Sequence, residues 1–285
     1  MTREPGRGGG SASLVLVATP IGNLGDLSPR AVEALGRADV IACEDTRRTR
    51  ALLSHAGVKA PRLLVVNDHS EAAQVREVIR LLDAGSSVAV VSDAGTPGVA
   101  DPGARLVAAA AAAGHAVELV PGPSAAIAAL VLSGLPAGRF CFEGFLPRKG
   151  PARRARVEAL RDEQRATVIY EAPHRIRQTI GELGEALGPL RRVSISRELT
   201  KLHEETWRGP LHLAVAHLSV NEPRGEYVIV LDGAPPPGPP GDDEVAAALR
   251  AALDAGADKK TAIADVAGRL GLPKRHVYGI ALGVR

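Results

Sequence analysis

Three stretches of this sequence carry residue types that could do chemistry. Glu44-Asp45-Thr46-Arg47-Arg48-Thr49-Arg50 sets two acids ahead of three arginines within seven residues. Carboxylates can hold a hydroxyl and guanidiniums a phosphate, while acids in a first helical turn also suit a merely solvated helix start. A second charged run, Arg197 to Glu205, sets Lys201, His203 and Glu204 directly after an apolar strand pattern. The third stretch is Val88 to Gly103, VAVVSDAGTPGVADPG. It begins as a β-branched apolar run and breaks into Ser92, Asp93, Ala94, Gly95, Thr96, Pro97 and Gly98. Its glycines permit positive φ or close backbone approach, and Pro97 and Pro102 stiffen the turns between them. No Gly-Lys-Ser/Thr follows, so it is not a phosphate-binding P-loop, and Gly-x-Gly-x-x-Gly is absent, so it is not a dinucleotide fingerprint.

The elements that must position these stretches alternate between strand and helix patterns. Strands are predicted over 14–18, 39–43, 62–66 (running into Asn67-Asp68-His69), 88–91 and 116–120. Ser28-Pro29 caps and opens a helix, and Val75, Val78, Ile79 and Leu82 mark one apolar face of a helix over 71–84. Ser124 caps another over 125–132. The turn-rich loops then fall at the carboxyl ends of strands, where open α/β sheets bind ligands. Beyond Gly134 the strands 166–170, 192–196 and 226–231 define a second α/β half. The expected division is a disordered tail over 1–13, an N-terminal α/β domain over 14–134 with a mainly parallel sheet, and a second over 135–234 with a mixed sheet. A Pro/Gly linker over 235–242 and a small helical domain over 243–285 complete it. The last part reads as three short helices with a tight Gly271-Leu272-Pro273 turn, a helix-turn-helix-like form that suits nucleic acid or packing alone.

Composition narrows the function classes. The 285 residues are 45% hydrophobic and 24% charged, a globular balance, with no apolar run of membrane-spanning length and no signal-peptide pattern, which points to the cytoplasm. Cys43 and Cys141 are the only cysteines, too few for a disulfide framework, and no Cys/His spacing suggests a metal site. Net charge is +3, so any nucleic-acid footprint must be local. Residues 139–165 supply one: eight Arg/Lys face four Asp/Glu, with Arg148, Lys149, Arg153, Arg154 and Arg156 crowded together. That cluster reads equally as a solvated helix face or as a lip for phosphates. Aromatics are 2%, so an RNA partner would be held by arginine and backbone more than by rings.

Several segments in order, ATPIGNLGDLSPRA, EDTRRT, SDAGTPGVADPG, PGPSA, EGFLPRK, YEAPHR, RELTKLHEE and GEYV, resemble the small-subunit ribosomal RNA 2′-O-methyltransferase I family of the tetrapyrrole-methylase-like superfamily. The resemblance covers 14–231 closely and 259–282 loosely. It implies two α/β domains with S-adenosylmethionine, folded back on itself, in the cleft between them. Its implied cofactor residues are Pro20, Asp93, Gly95, Thr96, Gly98, Val99, Ser124, Ala125, Tyr170 and Gly225. The implied acceptor is the ribose of a cytidine in the decoding region of the 30S subunit RNA, and the implied assembly a homodimer. Ala172 departs from the serine common in relatives. A ribose hydroxyl is a poor nucleophile, so a base or cation should assist; Glu44, Asp45, Lys201, His203 and Glu204 are the candidates, unranked. Arg47, Arg48, Arg148, Lys149 and Arg153 are the candidate phosphate contacts. A tetrapyrrole C-methyltransferase would share the fold and also want arginines, but EDTRRT, RELTKLHEE and the helical C-terminus favour RNA. A non-catalytic RNA-binding assembly factor would need no cofactor cleft.

Overall fold

The structure is a computed structural model that describes residues 12–66, 71–220, 222–236, 238 and 240–284. The expectations for the N-terminal tail up to residue 11 and for Asn67-Asp68-His69 lie outside the described residues. Contacts divide the chain into one compact unit ending at Ala234 and another beginning at Pro235.

The first unit opens with β1 (Ser13–Val17), α1 (Pro29–Arg37), β2 (Val40–Cys43), α2 (Thr46–His55), β3 (Arg62–Val65), α3 (Glu71–Asp83), β4 (Val88–Val90), α4 (Ala104–Ala112), β5 (Ala116–Val120) and α5 (Ala125–Ser133). The five strands form a wholly parallel sheet in the order β3-β2-β4-β1-β5. β2 and β4 are buried along their whole length, which is why they read as unbroken apolar runs rather than alternating ones. Ser28 accepts the N–H of Ala31 with Pro29 beside it, so the first helix starts where its capping residues dictate.

The order of strands decides where a ligand can sit. From β1 the chain crosses to β2 on one side, and from β4 it crosses to β5 on the other, although β1 and β4 are neighbours. Their following loops therefore part and leave a crevice at the carboxyl ends, the topological switch point of an open sheet. The two loops are tied across it: Thr19 and Gly95 exchange backbone hydrogen bonds of 2.9 and 3.1 Å.

The second half contributes β6 (Phe140–Phe145), α6 (Pro151–Ala159), β7 (Ala166–Glu171), α7 (Ile176–Leu187), β8 (Arg192–Arg197), β9 (Glu205–Pro210), α8 (Leu211–Val220) and β10 (Tyr227–Leu231). They build a mixed sheet in the order β6-β7-β10-β8-β9, parallel only between β6 and β7. The edge strands β6 and β9 are not legible as strands in the sequence, because partly exposed edges carry Glu143, Glu205 and Arg208 among their apolar residues. Helix α5 joins the two halves. It follows the parallel sheet in sequence, yet Ala126, Ala129 and Leu130 pack with Val168, Val228 and Val230 of the second sheet.

The second unit is three helices, α9 (Asp242–Asp254), α10 (Lys259–Leu270) and α11 (Lys274–Ala281), around Val245, Leu249, Ile263, Val266 and Val277. Asp258 caps α10 through two backbone N–H groups, and Gly271 closes it in the left-handed conformation, so its ends follow local sequence rules.

Candidate active site

Two adjoining cavities open at the switch point. The first, about 380 Å³, is lined by the β4 loop (Gly95, Thr96, Val99), the start of α5 (Ser124, Ala125) and Tyr170 of the second sheet. Gly95 must be glycine here: its φ is +86°, and an added Cβ would lie 3.3 Å from Ile21 Cγ2 and 3.5 Å from the Pro123 carbonyl. The Tyr170 hydroxyl accepts the Ala126 N–H at 3.2 Å, closing one of the open donors of α5 in place of a capping side chain. Burial raises the Tyr170 pKa, so it remains a neutral phenol, and its ring meets Phe142 and Phe145 edge-on. The buried Glu171, also on this wall, pairs with Arg175 at 2.6 Å and accepts the Thr179 hydroxyl at 2.6 Å.

The second cavity, about 360 Å³, shares Ile21, Ala94 and Glu226 with the first and adds Pro20, Leu24, Arg48, Asp93 and Lys201. Four charged side chains, Arg48, Asp93, Lys201 and Glu226, set it apart among its apolar lining. Lys201 Nζ donates to Glu198 Oε1 at 2.9 Å and to Glu226 Oε2 at 2.8 Å. Burial alone would lower the Lys201 pKa; the bonds to Glu226 and Glu198 outweigh it and hold the pKa above the ordinary lysine value. The group is thus a fixed ammonium at neutral pH. Asp93 accepts the Asp45 N–H at 3.2 Å and pairs with Arg48 at 3.5 Å, while its own N–H goes to Glu44 Oε1 at 3.0 Å. This exchange locks the ends of β2 and β4 together.

Several sequence expectations land elsewhere. Of ten residues expected around a cofactor, Gly95, Thr96, Val99, Ser124, Ala125 and Tyr170 line the first cavity, Pro20 and Asp93 line the second, and Gly98 and Gly225 line neither. Gly98 instead allows the backbone at Gly103 and Ala104 to approach, and Gly225 makes room for the Glu198 carboxylate. Among the five candidates for assisting a proton, Lys201 alone lines a cavity. Asp45 caps α2, and its bonds from the Arg47 side chain and N–H hold its pKa down to about 2, a poor base. Glu204 accepts the Thr200 N–H at 2.6 Å, bracing its own loop, and His203 is exposed on that loop. Arg47, Arg48, Arg148 and Lys149 are exposed, as phosphate contacts require. Arg153 corrects that list: it is 3% exposed, and its guanidinium is held by Glu182, Thr179 and the Pro147 carbonyl at 2.6 to 3.0 Å.

Glu198, Thr200 and Glu226 are the site residues that sequence reasoning passed over. Glu198 and Thr200 take φ of +49° and +65°. Their signal lay in glycines: a Cβ on Gly22 would strike Lys201, Thr200 and Leu199, and one on Gly225 would strike Glu198, so both glycines mark close approach to this loop.

The chain matches the tetrapyrrole (corrin/porphyrin) methylases over residues 13–214. A ribosomal RNA small subunit methyltransferase I from Synechocystis is 44% identical over 271 residues, 94% of this chain and 97% of its own. One from Xylella fastidiosa is 49% identical over 224 residues, 78% of this chain and 82% of its own. In fold, the crystal structure of uroporphyrin-III C-methyltransferase from Thermus thermophilus covers 77% of this chain and 94% of its own with a TM-score of 0.55 at 21% identity. With the parallel and mixed sheets meeting at one crevice, and with identity sustained over most of both sequences, this chain belongs to the ribosomal RNA small subunit methyltransferase I family of the tetrapyrrole methylases.

Proposed function

We propose that the protein is an S-adenosylmethionine-dependent methyltransferase that methylates the ribose 2′-oxygen of a cytidine in the decoding region of small-subunit ribosomal RNA. The observation that carries this reading is the pair of adjoining cavities, one lined by a glycine-bearing loop, a helix start and apolar side chains, and one that holds Arg48, Lys201, Asp93 and Glu226. The first fits the cofactor. Ile21, Val99 and Val228 offer an apolar bed, while Thr96, Ser124 and the start of α5 offer polar groups, and the volume lies in the range of small-ligand sites. Bound there, S-adenosylmethionine would supply a methyl already activated on a sulfonium, so the chain need not generate an electrophile.

The protein's work is positioning and charge. Holding the hydroxyl in the second cavity, against the shared residues Ile21, Ala94 and Glu226, converts an encounter into an oriented contact. The fixed Lys201 ammonium stabilises the oxygen as its proton departs to solvent, and it does so without reorganising, since two carboxylates already orient it. Exposed Arg47, Arg48, Arg148 and Lys149 take the flanking phosphates. Requirement for a 2′-hydroxyl restricts the substrate to RNA.

The enzyme works in the cytoplasm as a homodimer. Among the described residues no helix is long and apolar enough to cross a membrane. Ile127 and Val131 stand exposed on α5, and Leu119 on the open edge strand β5, apolar surface of the kind a second copy covers.

Mass spectrometry of ribosomal RNA from a strain lacking the gene tests the reading. One ribose methyl on a small-subunit cytidine should disappear and return on complementation. An unchanged methylation pattern, or no heat of S-adenosylmethionine binding by calorimetry, would overturn it.

A further inference from the structure

We propose that Leu202, with Leu24 on the adjoining loop, is an apolar wedge that opens a base step of the RNA and so delivers the acceptor ribose into the ionic cavity. The proposal rests on the RNA-methylating reading above and adds the residue that positions the substrate.

Leu202 lies in the loop of residues 198–204 that closes the β8–β9 hairpin, and it is 93% exposed. A lone exposed leucine is ordinary. This one is set on a loop that is unusually braced. Thr200 is β-branched, and its φ of +65° is a costly conformation for such a residue. Lys201 N–H donates to the Glu198 carbonyl at 2.9 Å, Glu204 N–H to the Lys201 carbonyl at 3.1 Å, and Thr200 N–H to Glu204 Oε2 at 2.6 Å. Lys201 is further pinned by Glu198 and Glu226. Strain held by so many bonds is characteristic of functional loops, and a loop already ordered loses little entropy when it binds.

The second observation is the bond between two loops at the cavity. Asn23 N–H donates to Thr200 Oγ1 at 3.0 Å, bonding the loop after β1 to the hairpin loop. The next residue, Leu24, lines the ionic cavity and is 45% exposed. Leu24 thus shares the cavity with Lys201, Leu202 follows Lys201 on the loop bonded to it, and among the described residues no aromatic ring lines this cavity.

The chemistry of the substrate explains such an arrangement. A ribose within a stacked strand cannot enter a recessed cavity unless its nucleotide is splayed away from a neighbour. Apolar side chains driven between base steps are a known physical means of unstacking. Arg48 and Lys201 then meet the displaced sugar and its phosphate, while Leu202 fills the gap left in the stack.

The test uses full-length protein, S-adenosylmethionine and small-subunit particles lacking the methyl group. Single-turnover transfer is measured for wild type, Leu202→Ala and Leu202→Met, and bases near the acceptor are probed with dimethyl sulfate in the presence of S-adenosylhomocysteine. Leu202→Ala should lower the saturated rate by roughly tenfold or more, the size expected when part of an unstacking cost goes unmet. It should also lose the wild-type enhancement of base reactivity beside the acceptor, with cofactor affinity unchanged. Leu202→Met, apolar and of similar reach, should restore both. If wild type transfers methyl and Leu202→Ala matches it in rate and reactivity, the wedge is overturned while the functional reading stands. If wild type transfers no methyl to the particle, the functional reading fails and the wedge with it.

Discussion

The two cavities are of nearly equal size, about 380 and 360 Å³, share three lining residues, and are built on opposite principles. The first cavity, proposed for the cofactor, sets apolar side chains against a backbone wall: a glycine at positive φ, a helix start and a hydroxyl that satisfies it. The second cavity, proposed for the acceptor, carries ion pairs that hold Lys201, Arg48 and Asp93 in place. The contrast teaches how labour is divided when one reactant arrives activated. That reactant needs only a complementary shape, whereas the acceptor, which must lose a proton among phosphates, needs fixed charge.

The largest effect that would break this division is at Gly95. Gly95→Val combines unfavourable positive φ with crowding against Ile21, and should weaken S-adenosylmethionine binding by roughly 10²- to 10³-fold in calorimetry. Gly98→Val serves as its counterpart. It has the same sign of φ but lies off the cavity, so it should depress thermal stability more than cofactor affinity. Equal affinity loss in both would show that the loop acts as one piece rather than through the Gly95 backbone.

On the ionic side, Lys201→Met should lower the single-turnover rate at saturating RNA and cofactor by about 10², the scale of one preorganised donor, with both dissociation constants near wild type. Weakened binding with a preserved rate would instead make Lys201 a clamp for Glu198 and Glu226. Because its folded pKa is raised, the ammonium persists up to and beyond the ordinary lysine value of 10.5, so any alkaline fall in rate from this group should appear only above that pH.

Arginines separate the two roles further. Each of Arg48→Ala and Arg148→Ala should flatten the dependence of log affinity on log salt by about 0.7 to 0.9. Arg153→Ala should leave that slope alone and cost about 3 kcal/mol of stability, since it strands the partners of a buried guanidinium.

The smallest effect is expected at Asp45. Asn caps helices as well as Asp does, so Asp45→Asn should keep a near wild-type rate and lose only the Arg47 pair. Its carboxyl pKa falls on folding, so the wild-type advantage in melting temperature should be full above about pH 4 and fade as pH drops through about 2. A large rate loss in Asp45→Asn would return this residue to the proton-handling chemistry.

Patterns that are local in the chain are legible in the sequence alone. Strands β1 to β5, the capped helices α1 and α10, and the glycine-rich β4 loop follow from periodicity, capping residues and turn chemistry, all of which act over a few neighbours. Six of the residues expected around the cofactor line one cavity for the same reason, since they sit on the β4 loop, the α5 start and the end of β7. What local pattern could not carry is pairing over distance. Whether Arg153 meets a phosphate or Glu182 depends on α7 lying against α6, and Asp45 becomes a cap only once its helix exists. Lys201 meets Glu226 across 25 residues, and Asn23 reaches Thr200 across 177. A charged side chain takes its role from the partner that folding brings within about 3 Å, and that partner is set by the sheet order and the crossing of the two lobes, not by its neighbours in the chain.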